Sequence, residues 1–322
     1  MERKYSIDLL RVLSAIAVVI IHTLSSPVSN STFEIDSFLL SNLEMIRALM
    51  KWAVPVFFMI TGYCLLRKEH CSYKYCFSHV VKYICVLFTV GFFYALLEEI
   101  FTSKTVNVFT FVNSLFNVIS GNLWDHMWFV YAIIGIYLVM PIIHLFMKQS
   151  IQNAFILTGL LFFFDILLPT FGGWITVGIQ FPFSGYLFYV CLGGVLAQVS
   201  INKTISCFVY LAGLLSAVYI AFANYETGYN HMAVCIMATS VFLIVSKLKI
   251  KPNKSLLCVS SCTWGIYLIH PLLINVAIKL LRIDVISSYA CLKLLVFTIA
   301  IISISFLATY VLRKIPLVKK LF

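Results

Sequence analysis

The chain has 322 residues, 62% of them hydrophobic and 11% charged, with a mean hydropathy of +1.01. No water-soluble domain has that balance, so the sequence reads as an all-α integral membrane protein. The formal net charge of +11 shows no basic stripe with interleaved aromatics on a soluble face, so nucleic acid is excluded as a partner and membrane topology explains the cations.

No stretch is long and polar enough to fold as a separate aqueous domain, and residues 1–322 read as a single membrane domain. Ten cysteines form no metal pattern, and most fall in apolar spans. Cys71 and Cys76 fall in an inner loop where thiols stay reduced, so neither a structural disulfide nor a metal site is expected. Arg3 and Lys4 before an apolar run resemble a signal peptide. The run contains Asp8 and Arg11, is long enough to span and has no small-x-small site after it, so it reads as an uncleaved helix.

Hydropathy predicts ten transmembrane helices, at about 6–26, 42–66, 78–100, 126–147, 154–170, 181–199, 205–223, 231–247, 256–279 and 288–312. Aromatic residues are frequent near their ends, as interfacial anchors should be. The loops alternate in charge. One side holds sixteen Lys and Arg residues, among them Arg3, Lys4, Arg67, Lys68, Lys74 and Lys82; the other holds Lys104, Lys279 and Arg282. The positive-inside rule then puts both termini in the cytoplasm, which an even number of spans allows.

The first helix carries the most informative pair. Arg11 and His22 are eleven positions apart, and eleven steps of about 100° return to within roughly 20° of the start. The two side chains therefore share one stripe, about 16 Å apart along the axis. Charged and imidazole groups in such a segment are costly in lipid and belong in the bundle interior. Arg11 lies towards the inner end of the helix and His22 near its outer end. Asp8, one turn before Arg11, can pair with it.

The second helix runs inward. Arg47 and Lys51, four apart, face the same way and repel, so an anionic or water-filled surrounding is expected, from Glu44 or from a substrate. Pro55 then frees a carbonyl and kinks the span. The following loop, with Arg67, Lys68, Lys74 and then Lys82, puts cations on Arg11's side of the membrane, where a phosphate-bearing ligand would meet them. The stretch after the third span, with Glu98, Glu99 and Lys104, reads as an outer loop, as do Glu34 and Asp36 earlier. It ends at Asp125-His126-Met127-Trp128, with His126 at the depth of His22. Asp165 sits inside a short fifth span. Gly172-Gly173-Trp174 marks an outer turn, and Gly193-Gly194 makes the sixth span one of the least regular. The ninth span holds Trp264, Tyr267, His270 and a helix-interrupting Pro271.

These polar residues together resemble acyltransferase family 3, the ten-helix membrane acyltransferases of cell-surface glycans. The family's Arg-ten-residues-His is similar to Arg11 and His22. Its Phe-Phe-x-x-Ser-Gly-Phe is similar to Phe57-Phe58-Met59-Ile60-Thr61-Gly62-Tyr63, with two mild substitutions. Its His-Leu-Trp-Phe-Leu is similar to His126-Met127-Trp128-Phe129-Val130. Its Ser-Phe-Gly-Ile-Tyr-Leu-x-His-Pro is similar to Cys262-Thr263-Trp264-Gly265-Ile266-Tyr267-Leu268-Ile269-His270-Pro271. The motifs occur in the right order over nearly the whole chain. The basic cluster that opens the family's third helix is thinned here to Lys74 and Lys82. The sequence shows no counterpart of the esterase-like domain of some members, so the expectation is that the membrane domain completes transfer alone.

The resemblance implies an O-acyltransferase of the bacterial inner (plasma) membrane that moves an acyl group, acetyl by default, from acyl-CoA to a hydroxyl of a surface or lipid-linked glycan, with no metal. Acyl transfer to a hydroxyl needs a base and a donor held in line, and His suits the first role at neutral pH. On this reading His22 and Arg11 are catalytic. Arg11, Lys74 and Lys82 hold the acyl-CoA phosphates. Arg47, Lys51, His126, Trp128, Tyr267 and His270 contact the acceptor. Whether His22 acts as base or is first acylated stays open. Each residue also has a plainer reading. Arg11 can be only an ion-pair partner of Asp8, and His22 a solvated interfacial group. His126 and His270 can be packing groups, Arg47 and Lys51 snorkelling cations, Trp128 and Tyr267 belt residues, and Asp165 a neutral acid bonded to a neighbouring helix. The rival class is a transporter exporting a polysaccharide precursor, which intramembrane His and Arg and interrupted helices also suit.

Overall fold

The computed structural model describes residues 3–30, 35–171, 185–222, 227–316 and 318–321. The turn at Gly172-Gly173-Trp174, the start of the sixth span and Glu34 lie outside them. In chain order the α-helices are α1 Tyr5–Ser29, α2 Ser37–Met50, α3 Ala53–Leu66, α4 Tyr73–Val86, α5 Phe92–Ser103, α6 Val108–Ser120, α7 Trp128–Gln149, α8 Ile151–Phe162, α9 Leu168–Phe171, α10 Leu187–Gln198, α11 Lys203–Phe222, α12 Met232–Ser246, α13 Lys254–Asn275 and α14 Ala290–Leu312. Single π-helical turns join α4 to α5, join α8 to α9, and extend α13.

Among the described residues, eight helical stretches are long and apolar enough to cross a membrane, and α10 and α12 are shorter apolar helices. Each of the ten predicted spans corresponds to one of these, so the protein is all-helical and multi-pass. The sequence reading differs from the structure in three places. Residues 108–120, read as part of an outer loop, form α6. The second span is two helices: Pro55 has no N–H to give the Lys51 carbonyl, and α2 ends just there. Pro271 does not interrupt its helix, because α13 continues through it to Asn275. Asp36 is exposed in the loop, as expected, and also serves as the N-cap of α2, accepting the Leu39 N–H at 3.0 Å.

The described residues divide into two compact units, one of Met1–Arg67 with Ile151–Leu312 and one of Lys68–Ser150 with Arg313–Phe322. In the first, α1 is the hub and packs against α2, α3, α12, α13 and α14. That contact surrounds the helix, which fits its apolar residues on nearly every side. Val19 and Leu24 of α1 join Cys262, Ile266 and Ile274 of α13 and Leu294, Phe297 and Ile301 of α14 in one buried cluster. Thr23 and Thr298 share a 2.8 Å hydroxyl–hydroxyl bond inside it.

Helices α3 and α10 approach each other backbone to backbone. A Cβ on Gly62 would land on the Val190 carbonyl, and one on Gly193 on the Met59 carbonyl. Small residues at such crossings let backbones meet where lipid offers no hydrophobic drive for association. The Gly193-Gly194 pair therefore forms a packing surface. In the second unit α4 packs on α7 and α5 on α6. The Cys71 and Cys76 sulfurs are 3.3 Å apart there as free thiols, and His144 Nε2 bonds the Lys68 carbonyl at 2.9 Å.

Candidate active site

At the N-terminal end of α1 the Asp8 carboxylate, 1% exposed, accepts four hydrogen bonds. Arg3 donates from Nε at 2.8 Å and from Nη2 at 3.0 Å. Arg11 donates from Nη1 at 3.0 Å, and Ser260 Oγ of α13 at 2.8 Å. A buried carboxylate needs this much compensation to stay charged. Its bonds raise the pKa of the Arg3 guanidinium above its ordinary value. The other side of Arg11 meets Cys64, Nη2 to Sγ at 3.3 Å.

Arg11 opens onto a cavity of about 330 Å³ lined by Arg3, Lys4, Ile7, Asp8, Arg11, Tyr63, Cys64 and Arg67. Tyr63 is its organising ring. Arg67 lies over it at 5.0 Å and donates to its hydroxyl at 3.1 Å, and Lys4 lies over it at 5.5 Å. The local sequence explains the placement. Phe58 is buried and stacks on Tyr186 at 4.8 Å, Gly62 lets α3 sit against α10, and Tyr63, the residue after Gly62, lines the cavity. Four cations against one carboxylate leave a surplus of positive charge suited to an anionic ligand.

Eleven residues along α1, about 16 Å, His22 is half-buried. Its ring lies 5.3 Å from that of His270 on α13, centroid to centroid. His270 is fully buried, and its Nδ1 lies 2.9 Å from the Ile266 carbonyl. A carbonyl only accepts, so in the neutral ring Nδ1 carries the proton and Nε2 the lone pair. Tyr267 lies 6.4 Å from His270 and stacks on Trp264 at 5.3 Å. The two helices are thus joined at both ends of the Arg11–His22 stripe, by Asp8 to Ser260 and by His22 to His270.

Arg47 is in the last turn of α2, and Lys51 caps that helix. Lys51 Nζ donates to the Thr227 carbonyl at 2.6 Å. Burial pushes the neighbouring Tyr229 phenol up, and the Arg47 charge partly offsets it. Tyr189 donates to the Tyr229 carbonyl at 2.6 Å, so these residues end in an ordered segment just before α12.

The second unit holds the other predicted residues. Lys74 and Lys82 are on α4, eight positions apart, so they point about 80° away from each other. Lys74 lines a largely apolar cavity of about 310 Å³ with Tyr73, Phe77 and Tyr137, while Lys82 shares its surroundings with the Arg313 charge. His126 is buried in a short 3-10 turn, edge-on to Tyr94 at 5.5 Å. Trp124 stacks on Tyr94 at 4.4 Å and donates to Glu98 at 3.0 Å. Trp128 opens α7 with its ring edge-on to Phe129 at 6.1 Å.

The chain matches the acyltransferase domain family model over residues 4–314. The protein belongs to acyltransferase family 3. No curated protein and no solved structure matches it. This membership makes it a membrane acyltransferase that takes an acyl donor. Arg67, a cation expected on the donor side, lines the same cavity of the acyltransferase as Arg11, and so do Arg3 and Lys4, to which the sequence assigns no site role. The signal for them was their position just outside α1 and α3, next to two family motifs.

Proposed function

We propose that this acyltransferase moves an acetyl group from acetyl-CoA to a hydroxyl of a cell-surface or lipid-linked glycan, in the inner (plasma) membrane with both termini in the cytoplasm. The observation that carries the reading is the α1 stripe. At one end Arg11 borders a cavity rich in cations. At the other, His22 stands against His270.

In this reading the nucleotide phosphates of the donor sit among Arg3, Lys4, Arg11 and Arg67, and its flexible arm runs along α1 to bring the thioester to His22. His22 takes the proton of the acceptor hydroxyl. The oxygen attacks the thioester carbonyl, the C–S bond breaks, and the departing thiolate takes the proton to leave as CoA-SH. Lys74 and Lys82 lend positive charge on the donor side, and Arg47, Lys51, His126, Trp128, Tyr267 and His270 contact the acceptor. No metal is needed.

The test is radiolabelled acetyl transfer from acetyl-CoA to surface glycan, in membranes holding wild type or His22→Ala, with folding checked by gel filtration in detergent. Transfer by wild type that disappears in the folded variant is the expected result. Full transfer by His22→Ala removes His22 as the base. Absence of transfer by both, with glycan present, favours export of a polysaccharide precursor instead.

A further inference from the structure

Helix α6 has its polarity reversed relative to a helix that faces water. The face turned to α5 holds Thr110, Ser114 and Val118, at most 2% exposed. The Ser114 hydroxyl is satisfied by the Thr110 carbonyl at 2.7 Å. The face turned away is an arc of about 120° that holds only apolar residues. Phe109 is 76% exposed, Phe116 66%, Ile119 67% and Val112 55%. Asn113, Asn117 and Ser120 form a narrow polar shoulder beside it. From 105 to 124 there is no Asp, Glu, Lys or Arg.

The helix is also well defined at both ends. Asn107 and Thr110 close a capping box, and Gly121 ends it in the left-handed region at φ 79°. Thirteen residues reach about 20 Å, too short for a hydrocarbon core of roughly 30 Å. In the same unit α5, on which α6 packs, belongs to a stretch long and apolar enough to cross a membrane, and Phe101, Phe93 and Phe88 are exposed on it.

We propose that α6 is a membrane-inserted helix, its Phe109–Val112–Phe116–Ile119 arc in contact with phospholipid acyl chains while its Thr110–Ser114–Val118 face packs on α5. An outward apolar face with polar groups turned to the protein or along one edge is the pattern that lipid selects and water opposes. The inference does not depend on which acyl group or acceptor the enzyme uses.

The test is carbene footprinting of the full-length protein in phosphatidylethanolamine–phosphatidylglycerol liposomes, with labelled residues read by mass spectrometry. A lipid-phase diazirine should label Phe109 and Phe116 to within about twofold of the exposed α14 side chains Leu292 and Leu295. A water-soluble diazirine should label them at least tenfold less than the exposed loop at Lys251–Asn253. Labelling by the aqueous reagent at loop level overturns the proposal. Protection from both reagents also overturns it, because a second copy or another protein would then cover the face.

Discussion

The imidazoles of His22 and His270 lie 5.3 Å apart, centroid to centroid, with their planes tilted by 48°. The contact comes from two helices that share a buried apolar cluster, so the geometry of His22 depends on α13 as well as on its own helix. If His22 is the base, His22→Ala lowers kcat by about 10²- to 10⁴-fold, the usual worth of a positioned base. His270→Gln, which keeps volume and polarity, lowers kcat about tenfold or more through misplacement of His22 and leaves KM for acetyl-CoA within twofold. Steady-state kinetics of both variants separate the two roles.

Asp8 holds Arg3, Arg11 and Ser260 through four bonds. Asp8→Asn keeps the shape and removes the charge, so the guanidiniums lose their anchor. KM for acetyl-CoA should rise about tenfold, as for loss of one charge-assisted contact, with a smaller change in kcat. Ser260→Ala should cost about 1 kcal/mol of stability, seen as a lower Tm in detergent, with little change in KM.

Arg67 and Lys4 face the same ring from the cavity wall. If they hold donor phosphates, Arg67→Gln and Lys4→Gln each raise KM for acetyl-CoA about fivefold to tenfold. Acetyl-pantetheine, which has no nucleotide phosphates, should be used equally well by wild type and both variants. A parallel rise in KM for acetyl-pantetheine would show that the two cations act on something other than phosphate.

Gly62 marks where α3 and α10 touch backbone to backbone. Gly62→Ala forces the two helices apart and should destabilise by about 1–3 kcal/mol. The readout is a fall in Tm in detergent, accompanied by lower activity because Tyr63 moves with its helix. Gly135→Ala, with open space where its Cβ would go, should leave both unchanged.

His231 caps α12, its Nδ1 accepting the Ala233 N–H at 3.1 Å, and that role requires an unprotonated nitrogen. Burial pushes its pKa below the ordinary histidine value of 6.5. The stability it confers is complete above about pH 6.5 and is lost as pH falls towards the folded value, because the unfolded chain binds the proton more readily. Tm of wild type should therefore decline on acidification from pH 6.5. His231→Asn, a capping residue that does not titrate, should show a shallower decline.

Much of this was legible in the sequence. The ten spans followed from hydropathy, and the Arg11–His22 stripe followed from helical periodicity. Contacts between helices were not legible. Nothing in residues 260–271 says that Ser260 meets Asp8 or that His270 meets His22, since both depend on how α13 is rotated against α1. Helix α6 escaped because thirteen residues fall below the length that hydropathy associates with a span, although its capping residues were plain to see. Pro55 and Pro271 looked alike in sequence. One ends a helix and the other is carried within one, a difference set by the packing around each.

The cavity around Arg11, Arg67 and Tyr63 has a consequence for turnover. If it holds the nucleotide end of the donor, it contacts the part of the molecule that does not change in the reaction. Its binding energy is then shared equally by donor, transition state and spent CoA, so it lowers KM without raising kcat. Free CoA should inhibit competitively at concentrations close to the KM of acetyl-CoA. Escape of CoA from these cations, rather than acyl transfer itself, would then limit the enzyme when acceptor is plentiful.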